Sequence, residues 1–442
     1  TVPQKKGEVT EKEIIDSPWV QRLRYIYQLQ SARWVYPSAE HSRFQHSLGA
    51  MHLAGEFADH LYPSLQRVLG GECPSAPLIQ EYMRMVGLLH DLGHGPFGHF
   101  FDDNFLIDFD ITHEDIGQAI IREKLGGIIQ QLRRSPSGPF AAGEELNPDD
   151  VAFPIKKNGK DDQARPKWLR LLQPLVSGIF TFDNLDYVSR DSYMCGVAVG
   201  PIDRQRLMHY TFFSPKGLTL HKAGNAALTM FLNTRLYLYT NVYYHRTTRA
   251  IDLHLREIFP ETMRMIFPGS ALQHMEEYLH LTDWSLLEEV AHWRRGRGGS
   301  RELAKEWARI VGRDIKWKMA YDRTLSLNEL RFGVALLQDS DWEKRIRASL
   351  PAAARDLVFR VDMATQDPRP ENPFGMGKKQ IYIFDPSTGE ITTESLSELL
   401  EFIPSKVVQF RVYATDHDND HLLAQIAEES LKGGPPAVKT SV

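Results

Sequence analysis

Gly87 to Asp102 reads GLLHDLGHGPFGHFFD, and the reading of the whole chain starts from this stretch. The apolar spacing predicts a helix from Leu78 to about Asp91, with Gly87 to Leu89 buried. A charged aspartate directly after a buried turn is expensive unless a cation or ionic partner compensates it, which makes His90 and Asp91 a candidate ligand pair. Gly93, Gly95 and Pro96 then end the helix, so His94 and His99 come from a turn. Asp102 and His113 follow. Such a density of imidazole and carboxylate suits proton transfer and phosphate contact.

Two further segments carry matching chemistry. His46 lies upstream in HSRFQHSLG (His41 to Gly49), and Asp183 and Asp186 lie downstream in FDNLDYVSRD (Phe182 to Asp191). Neutral imidazole and ionised carboxylate together hold Mn, Fe, Zn or Ni without thiolates. On the later helix Asp183, Tyr187, Arg190 and Asp191 share a face, offering a ligand, a ring for a sugar and polar groups for hydroxyls. Asp186 and Arg190, four apart, make an ordinary helix pair worth about 0.3–0.5 kcal/mol, which leaves Asp183 as the ligand.

The rest of the chain predicts a mostly α fold, a helical core with a small mixed α/β C-terminal lobe. Ile14 to about Leu132 is helical in pattern, broken at Gly70, Gly71, Pro74 and Pro77. Residues 133–167 look like a polar surface insertion. Helix resumes at Trp168 to Leu175, after residue 176 as a loop and helix, and again over 225–265. Leu218 to His221, Gln380 to Phe384 and Val407 to Ala414 have strand composition. The expected division is a catalytic core over 1–265, a helical extension over 266–360, and the α/β lobe with a loose tail over 361–442.

Composition narrows the function. A net charge of -5 argues against a whole-chain attraction to nucleic acid. Two cysteines, Cys73 and Cys195, make neither a disulfide framework nor a thiolate metal site. There is no apolar run of membrane length and no export leader, so a cytoplasmic, non-membrane protein is expected.

The motifs DSPWVQRLRYIYQL, HSRFQHSLG, HDLGHGPFGHFFD, THE and DNLDYVSRD occur in a specific order. In that series the chain resembles the HD-domain deoxynucleoside triphosphate triphosphohydrolases, which include bacterial dGTP triphosphohydrolases and the vertebrate SAM-and-HD-domain dNTPase. The resemblance runs from about Asp16 to about Asp252. It implies that His46, His90, Asp91 and Asp183 bind a divalent metal, with additional Mg as a further expectation. It implies catalytic roles for His94, Asp102 and His113, with His99 near the leaving oxygen. Arg43 would contact the phosphate, Gln28, Leu29, Tyr187, Asp191 and Tyr243 would frame the deoxyribose, and Arg235 would reach the triphosphate. A metal-activated water would attack the α-phosphorus of a dNTP and release triphosphate intact. Asp16, Gln21, Arg24 and Arg246 match positions of a regulatory nucleotide in some relatives, and a homo-oligomer is expected.

The chain departs from the family at Asn184, where a basic residue is usual, and at Tyr244, where some relatives carry glutamine. Against each functional reading stands a plainer one. His113 could only open a helix after Thr112, His41, His52 and His60 are expected to be structural or solvated, and most of the tyrosines near Tyr243 are expected to be packing. The run WRRGRGGSR (Trp293 to Arg301) reads as a solvated loop before it reads as a nucleic-acid contact. His417, Asp418, Asp420 and His421 read as an exposed turn. The competing function is an HD enzyme acting on another phosphoester, such as a nucleoside monophosphate, a cyclic nucleotide or single-stranded nucleic acid. A degenerate nucleotide sensor comes third.

Overall fold

Two helices, Arg43–Leu69 and Ala76–Leu89, cross at a glycine to make the centre of the fold. A Cβ on Gly87 would lie 2.7 Å from the Ala50 carbonyl oxygen, so only glycine permits this approach. The first helix opens with the Gln45 side chain accepting the Ser42 N–H at 3.3 Å. It closes at Gly70, whose φ of 58° a side chain resists. The second starts at Ser75 and Pro77 and is buried nearly all round, from Leu78 to Leu89. In this computed structural model residues 6–156, 165–199, 202–326, 338–366, 381–393 and 407–432 are described.

A third helix, Phe182–Cys195, lies against the first because Gly49 has no Cβ; one there would sit 2.0 Å from Asp186 Oδ1. Around this trio pack Asn225–Leu238 and Arg246–Ile266, joined by a π-helical turn at Tyr239–Tyr243. Asp283–Arg294 and Arg301–Val311 complete the layer, burying Trp293 and Trp307 in the same apolar core. The fold is mostly α, with the small mixed strand lobe that the sequence leads one to expect.

The C-terminal lobe is a three-stranded antiparallel sheet with Val407–Ala414 between Lys318–Ser326 and Phe359–Gln366. Helices Asp339–Ser349 and Asp420–Lys432 bury its apolar face, through Trp342, Ile346, Leu423 and Ile426. A bidentate ion pair from Arg249 to Asp362 joins this sheet to the helical core.

Three segments differ from the sequence reading. Lys318–Ser326 is a strand inside the stretch read as helical, because its pairing with Val407–Ala414 is nonlocal and its charged residues hide the alternation. Thr211–Ser214 forms a hairpin with Gly217–His221, which pairs in parallel with Tyr382–Asp385 far along the chain. Within the expected surface insertion, Pro148–Ala152 is a helix, and Val151, Phe153 and Ile155 are buried. Residues 157–164 of that insertion and the expected tail from Gly433 lie outside the described residues.

Candidate active site

His46 enters from the first turn of the first helix, His90 caps the end of the second, Asp91 follows it, and Asp183 stands in the first turn of Phe182–Cys195. Their ligand atoms meet. His46 Nε2 is 3.2 Å from His90 Nε2, 3.1 Å from Asp183 Oδ1 and 3.8 Å from Asp91 Oδ2. His90 Nε2 is 3.6 Å from Asp183 Oδ1 and 3.4 Å from Asp91 Oδ1. Ligands about 2.1 Å from one divalent ion stand about 3.0–3.4 Å from each other in octahedral or tetrahedral arrangements. The His46, His90 and Asp183 atoms, all within 4.8 Å of one another, come near that spacing, while Asp91 meets His46 and His90 through different oxygens.

The outer ring nitrogens fix the tautomers. His46 Nδ1 donates to Asp186 Oδ2 at 2.9 Å and His90 Nδ1 to the Gly87 carbonyl at 2.9 Å, which leaves both Nε2 lone pairs aimed at the same point. Burial pushes the His46 imidazole down, yet its bonds to Asp183 and Asp186 outweigh that and carry it up to about 10. Carboxylates that would draw a proton onto a buried imidazole favour a metal cation equally. Burial raises the Asp183 carboxyl, but bonding from His46 and His90 holds it far below its ordinary value. Asp186 is therefore more than the helix partner of Arg190, which binds it through both nitrogens at 2.8 Å. It also orients the His46 ring.

A second cluster adjoins the first through Asp91, whose Oδ1 is 3.4 Å from His94 Nε2. His113 Nδ1 is hydrogen-bonded to Asp102 Oδ2, and His99 Nδ1 lies 3.7 Å from the same oxygen. The turn owes its shape to Gly93: a Cβ there would sit 1.9 Å from the His113 carbonyl oxygen, so His113 can stack on His94 at 3.7 Å and 13°. These four residues hold ligand-type atoms within 4.8 Å of one another. Parallel rings, however, send their lone pairs along parallel planes, so His94 and His113 cannot both converge on one ion, and the cluster is better suited to moving protons. Burial, with the nearby Arg43 and His113 charges, holds His94 well below its ordinary value, as a neutral base. The His99 side chain is 65% exposed.

Both clusters border a cavity of about 710 Å³, within the range of small-molecule sites. Gln28, Leu29, Arg43, His90, Asp91, His99, His113, Asp183, Tyr187, Asp191 and Tyr243 line it. Arg43 pairs with Asp91 at 2.5 Å.

Known proteins share this arrangement of sequence. A family model described as HD domain matches residues 43–151. The chain is 30% identical over 286 residues to the uncharacterized protein YwfO of Bacillus subtilis, covering 63% of this chain and 59% of that one. It is 30% identical over 316 residues to the deoxynucleoside triphosphate triphosphohydrolase SAMHD1 homolog of Dictyostelium discoideum, covering 70% of this chain and 56% of that one. A crystal structure of a hypothetical protein from Aquifex aeolicus matches with a TM-score of 0.67 and 25% identity over 95% of each chain. The chain contains an HD domain and is similar in sequence to proteins named as deoxynucleoside triphosphate triphosphohydrolases. It spans less than two thirds of the length of the two curated relatives named.

The other residues that the HD-family resemblance singles out occupy different places. Asp191 sits at the wall with both oxygens engaged, His41 Nε2 at 2.8 Å and the Tyr243 hydroxyl at 2.6 Å. His41 is therefore a buried support of the site, hidden in the sequence because only its distant partner gives it meaning. Arg235 stands behind the wall, its Nε donating to the Tyr187 hydroxyl at 3.1 Å. Asn184 spends its amide oxygen on the Thr181 N–H at 2.7 Å, as a helix cap. The Tyr244 hydroxyl donates to the Thr365 carbonyl at 2.9 Å.

Ser31, Thr248, Arg249, Asp252 and Arg256 also line the cavity, and no sequence motif marks them. Of the regulatory candidates, Gln21 accepts from Arg24 Nε at 2.7 Å, and Asp16 pairs with Lys12 at 2.8 Å. Among the described residues no hydrogen bond or ion pair joins Arg246 to them. Trp293 is buried and bonded to Glu289, so the arginine loop after it presents cations without a stacking ring. His417 pairs with Asp420 at an exposed turn. Among the described residues no helix is long and apolar enough to cross a membrane.

Proposed function

We propose that the protein is a metal-dependent dNTP triphosphohydrolase that yields deoxynucleoside and triphosphate. The observation that carries this reading is Asp91, which faces the metal-type ligands His46 and His90 on one side and His94 on the other, at the floor of one cavity. A divalent cation such as Mn, Fe, Zn or Ni held by His46, His90, Asp91 and Asp183 would neutralise phosphoryl charge and acidify a water. Arg43 brings a fixed positive charge to the α-phosphoryl oxygens. His94, kept neutral, accepts a proton from the water whose oxygen bonds to the α-phosphorus, and the His113–Asp102 pair holds it in place. As the bond from the α-phosphorus to the 5′-oxygen breaks, His99 gives that oxygen its proton. Tyr187, Tyr243 and Asp191 wall the sugar.

The proposal extends to cytoplasmic residence, an additional Mg on the triphosphate, a homo-oligomer and a regulatory nucleotide. Incubating the protein with each dNTP and Mn or Mg and separating the products tests it: nucleoside with intact triphosphate is expected, and monophosphate with pyrophosphate would refute it. Arg235 turned onto Tyr187 favours the second reading, a phosphoester with less charge. Arg235→Ala separates the two, since a dNTP enzyme should show a KM raised several-fold.

A further inference from the structure

The turn that carries His94 and His99 is held from behind by a segment outside the matched HD region. The Tyr278 hydroxyl donates to the Gly93 carbonyl at 2.7 Å. Arg22, fully buried, donates to the His94 carbonyl at 2.6 Å and to the Tyr278 and Leu281 carbonyls at 3.0 and 2.7 Å, with its guanidinium 4.4 Å over the Tyr278 ring. Asp283 accepts the Phe97 N–H at 3.3 Å through one oxygen and the Tyr27 N–H at 3.4 Å through the other. Phe97 has a φ of 63° and Gly98 one of 56°, a conformation the chain does not hold unaided. Gly93, His94 and Phe97 are thus each gripped by a buried polar group, and the grips come from Arg22 and the short stretch Tyr278–Asp283.

We propose that Tyr278 and Asp283 are positioning residues that set the place of His94 and His99 through the backbone of the Gly93–Gly98 turn. This rests on the hydrolytic role given above to those histidines. Neither residue touches the cavity, since neither lines it. Their effect comes from geometry: a misplacement of about 1 Å at a reacting group costs about 100-fold in rate. Tyr278→Phe removes one hydroxyl and keeps the ring under Arg22. Asp283→Asn keeps the shape and exchanges one acceptor for a donor that opposes a backbone N–H.

The test measures kcat, KM, bound metal, thermal midpoint and amide exchange for the intact chain and both variants. The expected result is a kcat lowered 10-fold or more with KM within twofold, unchanged metal content, and faster exchange confined to residues 91–99. A kcat per folded molecule equal to that of the unaltered chain, or exchange unchanged over 91–99, would overturn the proposal. If the unaltered chain releases no triphosphate from dNTPs, the substrate reading fails by itself. The exchange result, and the kcat on whichever phosphoester is cleaved, still decide the positioning role.

Discussion

His46 Nε2 and His90 Nε2 face each other at 3.2 Å while each ring's Nδ1 is committed to an oxygen. With no proton on either Nε2, two lone pairs at that distance repel unless a cation lies between them, and Asp183 and Asp91 supply the charge that such a cation needs. The chemistry of the site follows from that pair.

Asp186 should matter to metal binding through His46. Asp186→Asn leaves a carbonyl to accept from His46 Nδ1 but removes the charge that raises the ring's basicity, and groups in this role typically govern 10- to 100-fold in metal affinity. Metal titration followed by calorimetry should show a loss of about that size, with Asp183→Ala abolishing binding.

His113→Ala and Asp102→Asn should act on rate and leave the ion in place. The two are hydrogen-bonded to each other and His113 stacks on His94, so each change disturbs proton transfer, worth roughly 100- to 10,000-fold. Steady-state kinetics should show kcat falling within that range, with bound metal unchanged by elemental analysis.

Gly49→Ala would place a methyl 2.0 Å from Asp186 Oδ1 and 2.3 Å from Arg190 Nη2. Those atoms are side-chain ends that can move, so the folding cost is that of modest overpacking, about 1–3 kcal/mol. Moving them breaks the bond to His46, and metal affinity should fall as it does in Asp186→Asn. Denaturant titration and metal binding together check this.

Asp283 gives a pH signature. Burial pushes its carboxyl up to about 7, against the pull of Arg33, the Phe97 and Tyr27 N–H groups and Arg43. Arg22 also faces it. A carboxyl raised above its unfolded value of about 3.9 contributes stability that is complete below that value and is lost as pH rises through about 7. Thermal unfolding of the unaltered chain should therefore weaken between about pH 5 and pH 7 by more than that of Asp283→Asn. A parallel pH dependence in the two would contradict the assignment.

The candidate ligands are legible in sequence because their chemistry is local: a doublet after a buried helix, a histidine in the first turn of an amphipathic helix, and an aspartate opening another. Asp186 is legible only as a partner of Arg190, since its second bond crosses to a residue 140 positions earlier. His41 and Asp283 stay hidden for the same reason; the partners of Asp283 lie 186 and 256 residues away. The strand Lys318–Ser326 shows no clear alternation because its partner strand, Val407–Ala414, supplies the buried face. Short-range spacing reveals what a segment carries, while long-range burial decides what holds it.

The most direct measurement is an anomalous difference map from crystals grown with Mn. A single peak about 2.2 Å from His46 Nε2, His90 Nε2, Asp91 and Asp183 is predicted. A peak instead among His94, His99, Asp102 and His113, or none at either place, would contradict the account.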